Sequence, residues 1–147
     1  MFKCLALIFL INLGFNTAKS PVPNCDQICG RWMSSEDNLT VEVYKTGEQF
    51  RAKIIWFKEH PNTTMEEWSD KNNPDPSLRS RKVLGMEVLN ELKYNPNSKS
   101  WEDGTIYDAQ SGHEWSASAY IDNKGLLKVK GYWHFKIFGK TMTFKKA

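Results

Sequence analysis

The sequence lacks a large excess of charge of either sign. Its 147 residues contain 20 Lys and Arg against 17 Asp and Glu, which gives a formal net charge of +3. Two of these cations, Lys3 and Lys19, lie near the N-terminus, where the first twenty residues contain no acid, so the remainder has 18 cations against 17 acids. Nucleic-acid binding depends on clustered Lys and Arg. We therefore expect no nucleic-acid partner.

No apolar run is long enough to span a bilayer as a helix, which requires about 20 residues. The longest run, residues 4–15, follows Lys3 and is followed by Ala-Lys-Ser at residues 18–20. A basic residue, a short apolar stretch and small residues three and one before a cleavage point are typical of a secretory signal peptide. We expect cleavage after Ser20, with cleavage two residues earlier as the alternative, and thus removal of residues 1–20.

The remaining chain, residues 21–147, has the length of one domain, which would bury roughly two thirds of its unfolded surface. Together with the leader, this predicts an exported protein, periplasmic or secreted, that has no membrane span. The sequence leaves its oligomeric state open.

Cysteine is scarce, with three residues in the whole chain. Cys4 lies in the leader, so the exported chain would keep Cys25 and Cys29. An oxidising compartment makes a disulfide between them the expectation, although so small a loop would stabilise the fold by only about 2 kcal/mol in the loop-entropy model. A redox-active pair usually has a two-residue spacer at a helix start, and that pattern is absent here.

The sequence motifs of common catalytic and metal sites are also missing. It has no serine in a nucleophile elbow, no glycine-rich phosphate loop and no paired carboxylates at an evident catalytic spacing. A metal site would need ligands beyond the two cysteines, and the histidines are scattered, at His60, His113 and His134. We therefore expect no metal or other cofactor, and a function other than catalysis.

Helical spacing is scarce too, and its best candidate is a single turn within residues 63–70, capped by Thr63 or Thr64. Apolar and polar residues instead alternate with period two, which predicts strands. Residues 39–46 and 49–58 flank a turn at Gly47. Two further hairpins follow, one around the DNKG turn at residues 122–125 and one with Gly139 in its bend.

These patterns predict an all-β fold, an antiparallel up-and-down barrel of about eight strands with one long loop, residues 58–80. Closure into a barrel is expected because an open sheet would leave two edges able to pair with other chains. Such a barrel has an interior that is either filled by side chains or holds one small ligand. The predicted strands lie near residues 30–35, 39–46, 49–58, 81–93, 100–102, 105–108, 113–121, 126–135 and 140–146.

The motif GRW at residues 30–32 precedes the first strand, as a Gly-x-Trp does in lipocalin-like, or calycin-type, barrels. With the segments DKNNPDPSLRSRKVLGMEVLNELKY, WEDGTIYDAQSGHEWSA and LKVKGYWHFKIFGKTMTFKK, the chain resembles the secreted bacterial domain-of-unknown-function 2147 family over residues 30–146. The resemblance implies a small exported barrel without an established activity. It also implies that Trp32 packs against a cation near the end of the chain, Lys145 or Lys146.

Residues 72–85, NNPDPSLRSRKVLG, hold two arginines ahead of an apolar stretch. If Arg79 and Arg81 lie on the incoming strand, they share one face and could form a fork for a carboxylate or phosphate. The alternative is a set of solvated charges, or ion pairs with Asp70 and Asp75.

Aromatic residues are abundant, with six Trp, five Tyr and eight Phe. Their rings either fill the barrel or line a pocket. The group Tyr107, Asp108 and His113 also suggests acid–base chemistry, although a hairpin turn explains the same residues. The residue at position 130 is a lysine, a point charge where the family resemblance suggests an arginine. The candidate ligand-binding residues are Trp56, Arg79, Arg81, Tyr107, His113, Trp115, Lys130 and Tyr132.

The expected function is therefore non-catalytic: an exported protein that holds a small lipophilic or anionic molecule in its barrel. One alternative is a packed barrel that mediates protein–protein contacts in the cell envelope. The other is an envelope enzyme that uses Tyr107, Asp108 and His113, and it requires these three side chains to converge.

Overall fold

The computed structural model describes residues 24–133 and 139–147, which form a closed antiparallel barrel of eight strands in sequence order. The all-β up-and-down barrel predicted from the sequence is confirmed. The predicted signal peptide and His134 lie outside the described residues. The strands are β1 Gly30–Ser34, β2 Leu39–Thr46, β3 Gln49–Phe57, β4 Glu87–Asn95, β5 Ser100–Asp108, β6 His113–Ile121, β7 Leu127–Tyr132 and β8 Gly139–Lys146.

Among residues 24–133 and 139–147, helix is confined to three short 3-10 turns, η1 Asn24–Ile28, η2 Met65–Glu67 and η3 Pro76–Leu78. The single turn predicted within residues 63–70 is confirmed by η2, where the Glu67 carboxylate accepts a hydrogen bond from the Thr64 N–H at 2.9 Å. In the described part of the chain, no helix has the length and apolarity to cross a membrane.

The predicted strand limits are wrong in two places. β4 begins at Glu87 rather than near residue 81, because the Arg81 backbone is bonded within the loop, to the Leu78 carbonyl and the Asp70 N–H. The two strands predicted at residues 100–108 are one strand, β5. It is interrupted only by an irregularity at Asp103, whose φ is +59°.

The third predicted hairpin is only partly described. Gly139 is the first residue of β8 rather than a bend residue, and residues 134–138 lie outside the described part of the chain. β7 and β8 pair as expected, with Leu127 opposite Phe144 and Val129 opposite Met142.

One end of the barrel, which we call the closed end, is covered by η1. The Trp32 indole donates to the Ile28 carbonyl at 2.7 Å, and the Trp101 indole donates to the Cys25 carbonyl at 3.0 Å. Both rings are 2 % exposed. Each buried indole N–H therefore has a hydrogen-bond acceptor, as buried polar groups require. The same two hydrogen bonds attach η1 to the barrel.

A lysine at the chain end completes the closed end. The Lys146 ammonium lies 4.3 Å from the centre of the Trp32 ring and donates to the Cys29 carbonyl at 2.8 Å. The expected packing of a terminal cation on Trp32 is thus present and belongs to Lys146, whereas Lys145 pairs with Asp37. A Cβ at Gly30 would lie 3.0 Å from the same ammonium nitrogen, and φ is +119° there. Glycine is therefore required at the start of the GRW motif.

The expected disulfide is absent, since Cys25 and Cys29 are both free thiols. The intervening chain forms η1, and residues four apart in a 3-10 helix are offset by about 8 Å along its axis. That exceeds the usual Cα separation of bridged cysteines, about 4.4–6.8 Å. The Cys25 thiol lies 3.4 Å from an Asp26 carboxylate oxygen, and burial raises the pKa of the Cys29 thiol.

Candidate functional site

Side chains that face the barrel interior become progressively more exposed away from the closed end. On β3, Phe50 and Ala52 are 1 % exposed, Ile54 is 7 % exposed, and Phe57, which follows a β-bulge and packs against the core, is half-buried. We call the end near Phe57 the mouth; the β3–β4 and β5–β6 connections lie there. The lower barrel is therefore packed solid by its own side chains, while the apolar wall near the mouth remains partly uncovered.

β6 shows the same gradient. Its inward positions run from Ala119 and Ala117, at 1 % and 0 % exposure, to half-buried Trp115 and exposed His113. The Trp115 ring packs edge-on against the His113 ring at 5.9 Å and against the Trp133 ring at 5.7 Å.

A glycine of β7, Gly131, lies beside Trp115 on the inner face of the barrel. A Cβ at Gly131 would lie 3.3 Å from the Ile106 side chain and 3.7 Å from the Trp115 Cβ, so this position faces the same interior. The Ile106 and Trp115 side chains therefore already contact this position, and a larger residue there would have to displace them. We call the set Phe57, Ile106, His113, Trp115 and Gly131 the aromatic mouth.

A second cluster lies where the long β3–β4 loop packs on β5. Asp70 is fully buried, and one of its carboxylate oxygens accepts from the Tyr107 hydroxyl at 2.6 Å. The other oxygen accepts from the Asn73 amide and from the Arg81 guanidinium, each at 2.8 Å. The Arg81 guanidinium also lies 5.7 Å from the Tyr107 ring centre. We call these four residues the Asp70 cluster.

The protonation states of the cluster follow from this geometry. Burial alone would raise the pKa of Asp70, but the hydrogen bonds from Tyr107, Asn73 and Arg81, with the Arg81 charge, lower it below its ordinary value of 3.8. Burial and then the bond to Asp70 raise the pKa of Tyr107 to about 12. Asp70 is therefore ionised and Tyr107 neutral at neutral pH, so the cluster contains one ion pair.

The Asp70 cluster fixes the loop to the mouth. The Asn72 side-chain amide donates to the Gln110 carbonyl at 2.7 Å, and Arg79 Nε donates to the Asn73 carbonyl at 2.8 Å. At Gly112 an added Cβ would meet the Asn72 carbonyl oxygen at 2.0 Å. The loop thus lies directly against the β5–β6 turn, and only glycine permits that approach.

Sequence reasoning did not find the centre of this cluster. The sequence predicts Asp70 only as an ion-pair partner for an arginine, and no sequence pattern singles out Asn73. Both are buried polar side chains in a loop, at 0 % and 5 % exposure. The local sequence carries no signal for this burial, because Tyr107, the partner of Asp70, comes from a strand 37 positions away.

The candidate residues fall into three places. His113 and Trp115 belong to the aromatic mouth, whereas a β-bulge places Trp56 on the same face as Thr40 rather than with Ile54. Arg79, Arg81 and Tyr107 lie in or beside the Asp70 cluster. Lys130 and Tyr132 alternate with inward Val129 and Gly131, so they lie on the outer face of β7. Arg79 and Arg81 lie in the loop rather than on a strand, and Arg81 makes the ion pair with Asp70 that was the alternative to an anion fork.

The three residues of the enzyme alternative engage three different sets of partners. The Tyr107 hydroxyl bonds Asp70, whereas the Asp108 carboxylate accepts from the Gln110 N–H at 2.9 Å and the Ser111 hydroxyl at 2.7 Å. The His113 ring packs on Trp115. In residues 24–133 and 139–147, no three His, Cys, Asp or Glu side chains are grouped as metal ligands would be.

Comparison with known proteins agrees with the fold. Residues 30–146 match the family described as "Uncharacterized protein conserved in bacteria", domain of unknown function 2147. No curated protein matches the sequence. A solved structure, protein HP1028 from Helicobacter pylori, described as belonging to the lipocalin family, superposes with a TM-score of 0.68 at 24 % identity. That match covers 81 % of this chain and 82 % of the other, and the likeness shows a lipocalin-like fold.

Proposed function

Since the chain belongs to the domain-of-unknown-function 2147 family, whose fold here is a lipocalin-like barrel, we propose that it is an exported, non-catalytic binding protein. Its ligand is a small, partly apolar molecule held at the aromatic mouth. The observation that carries this proposal is the exposure gradient along the inner face of one strand, from 1 % at Phe50 to a half-buried Phe57. Core packing alone does not require apolar side chains to remain partly exposed at one end of the barrel.

The aromatic mouth offers mainly apolar contact. Burial of apolar surface contributes about 25 cal/mol per Å², so a guest that covers about 200 Å² of it gains about 5 kcal/mol before the costs of association. The rings of Phe57 and Trp115 favour flat or chain-like apolar groups.

The proposed ligand also carries an acidic group. The ion pair with buried Asp70 holds the Arg81 side chain in place, and that side chain is still 41 % exposed to solvent. Arg79, two residues earlier, is also exposed. An arginine fixed by a buried carboxylate has little orientational freedom to lose when it binds a second anion. Lys130, on the outer face of β7, is less favourably placed for this role.

Decanoate is a suitable test probe because it combines an apolar chain with a carboxylate. We expect decanoate to shift the Trp115 indole signal in NMR spectra of the full chain. Gly131→Val should lower its affinity about tenfold, because the new side chain displaces the Ile106 and Trp115 side chains that already contact this position. Thr141→Val is the matched control, since it places a valine on the outer wall. Equal binding by wild type and Gly131→Val would refute the proposed site.

The proposal of export rests on the pattern of residues 1–20. Cell fractionation and N-terminal sequencing of the mature protein test it, and we expect a mature N-terminus at Pro21 or two residues earlier. A protein that retains Met1 and fractionates with the cytoplasm would contradict export.

A further inference from the structure

We infer that the closed end carries a second binding site, for small aromatic anions, between η1 and the ends of the strands. Two pockets lie there, of about 310 Å³ and about 220 Å³. Tyr94 lines both pockets. The inference is independent of the proposed ligand at the mouth, which lies at the opposite end of the molecule.

The apolar contribution comes from Tyr94 and its neighbours. The Tyr94 ring packs at 5.2 Å from the Trp101 ring, tilted by 53°, and remains half-buried. Phe50 lines the first pocket and Trp101 the second. A planar guest can therefore pack against an aromatic wall on either side of Tyr94, as aromatic pairs prefer.

The charge at the rim is mainly positive. Lys45 and Lys93 line the first pocket and Lys99 lines the second. Lys45 is already paired with Asp26 at 3.2 Å. Lys93 and Lys99 are exposed, and Lys93 lies opposite Glu102 across β4 and β5. An anionic group between these two ammonium groups would gain charge-assisted hydrogen bonds.

One acid opposes this arrangement and helps to test it. Glu48 lines the first pocket, on the side of the β2–β3 turn. Its carboxylate repels an anion there, so the charged group of the guest is expected nearer to Lys93 and Lys99. The inference thus predicts opposite effects on affinity for neutralising Glu48 and for neutralising the lysines.

The test uses anilinonaphthalene sulfonate, an aromatic sulfonate, titrated into the full chain at low salt. Six tryptophans give separate indole N–H signals, and the Trp101 indole is bonded to the Cys25 carbonyl beside these pockets. We expect the probe to shift the Trp101 signal. Lys93→Gln with Lys99→Asn should weaken this binding about tenfold, and Glu48→Gln should strengthen it about twofold. Asn tolerates the positive φ of residue 99.

Lys82→Gln is the matched control, since it removes one exposed lysine from the long loop at the other end of the molecule. It should leave the Trp101 shift unchanged, and high salt should weaken the shift in wild type. Probe-induced shifts confined to the Trp115 indole would overturn this site while supporting the mouth. An unchanged affinity in the double lysine variant would also overturn it.

Discussion

The two ends of this barrel use the same residue type in opposite ways. At the closed end, Trp32 and Trp101 are 2 % exposed, and both indole groups donate to carbonyls of or beside η1. At the mouth, Trp115 stays half-buried. The covered tryptophans stabilise the fold, whereas the partly uncovered one leaves apolar surface available to a guest. Exposure, rather than residue type, therefore separates structural from candidate functional aromatics here.

The largest expected effect compares tryptophans on neighbouring strands. Trp101→Ala should lower the free energy of unfolding by about 3–5 kcal/mol, because it removes a fully packed ring and its bond to η1. Trp115→Ala should cost only about 1 kcal/mol, because half of that ring already faces solvent. Urea unfolding at matched protein concentration measures both. Equal losses would mean that the mouth is packed as tightly as the closed end.

Next in size is the Asp70 cluster, which fixes the loop at the mouth. Asp70→Asn should lower the free energy of unfolding by about 1–3 kcal/mol near neutral pH, because three donors lose a charged acceptor. The pKa of Asp70 is lowered in the folded state, so its stabilisation is present above the unfolded value of 3.8 and is lost as pH falls below it.

The difference between wild type and Asp70→Asn should therefore shrink between about pH 5 and about pH 2. Urea unfolding across that range measures it, with Asp122→Asn as a control carboxylate, since its pKa is also lowered but it lies in the β6–β7 turn, at the closed end. A difference between wild type and Asp70→Asn that is independent of pH would contradict the ionised state of Asp70.

A smaller effect distinguishes two neighbouring lysines. Lys146→Gln should lower the free energy of unfolding by about 1 kcal/mol, because it removes a cation from the Trp32 ring and a donor from the Cys29 carbonyl. Lys145→Gln breaks only the exposed pair with Asp37 and should cost less than about 0.5 kcal/mol. Thermal unfolding of both variants tests the order, which would be reversed if the Lys145 pair were the stronger contact.

The smallest expected effect concerns the free thiols. A reductant should leave the melting temperature unchanged to within about 1 °C, because Cys25 and Cys29 are not bridged. Differential scanning calorimetry with and without reductant measures this. A clear decrease in the melting temperature on reduction would show that a disulfide forms at the closed end after all.

Strand alternation was readable from the sequence because each strand buries one face, so the period-two pattern follows directly from burial. The start of β4 was not readable. Arg79 and Arg81 resemble residues of an incoming strand by spacing, yet their backbone is used by the loop. Distant partners decide this: Asp70 bonds Tyr107 of β5 across 37 positions and also bonds Arg81, which holds the Arg81 segment in the loop.

The aromatic mouth was only partly predicted for a related reason. Trp56 and Trp115 were correctly placed on strands, but alternation assigns a face without giving exposure along that face, and it does not reveal the β-bulge that moves Trp56 off the face of Ile54. The position of η1 at one end of the barrel decides which rings are covered. It depends on the bond from Trp101 to the Cys25 carbonyl, 76 positions away in sequence, as well as on the local bond from Trp32 to Ile28.

The amino-acid sequence by itself determined the barrel class, the hairpins and the Gly-x-Trp start, since these depend on the local alternation of apolar residues and on turn chemistry. Tertiary structure alone decided which end is sealed, that Lys146 rather than Lys145 covers Trp32, and that Asp70 is the buried anchor of the long loop. The physical reason is that burial of an individual side chain is set by what the closed sheet brings against it, and those neighbours come from other strands.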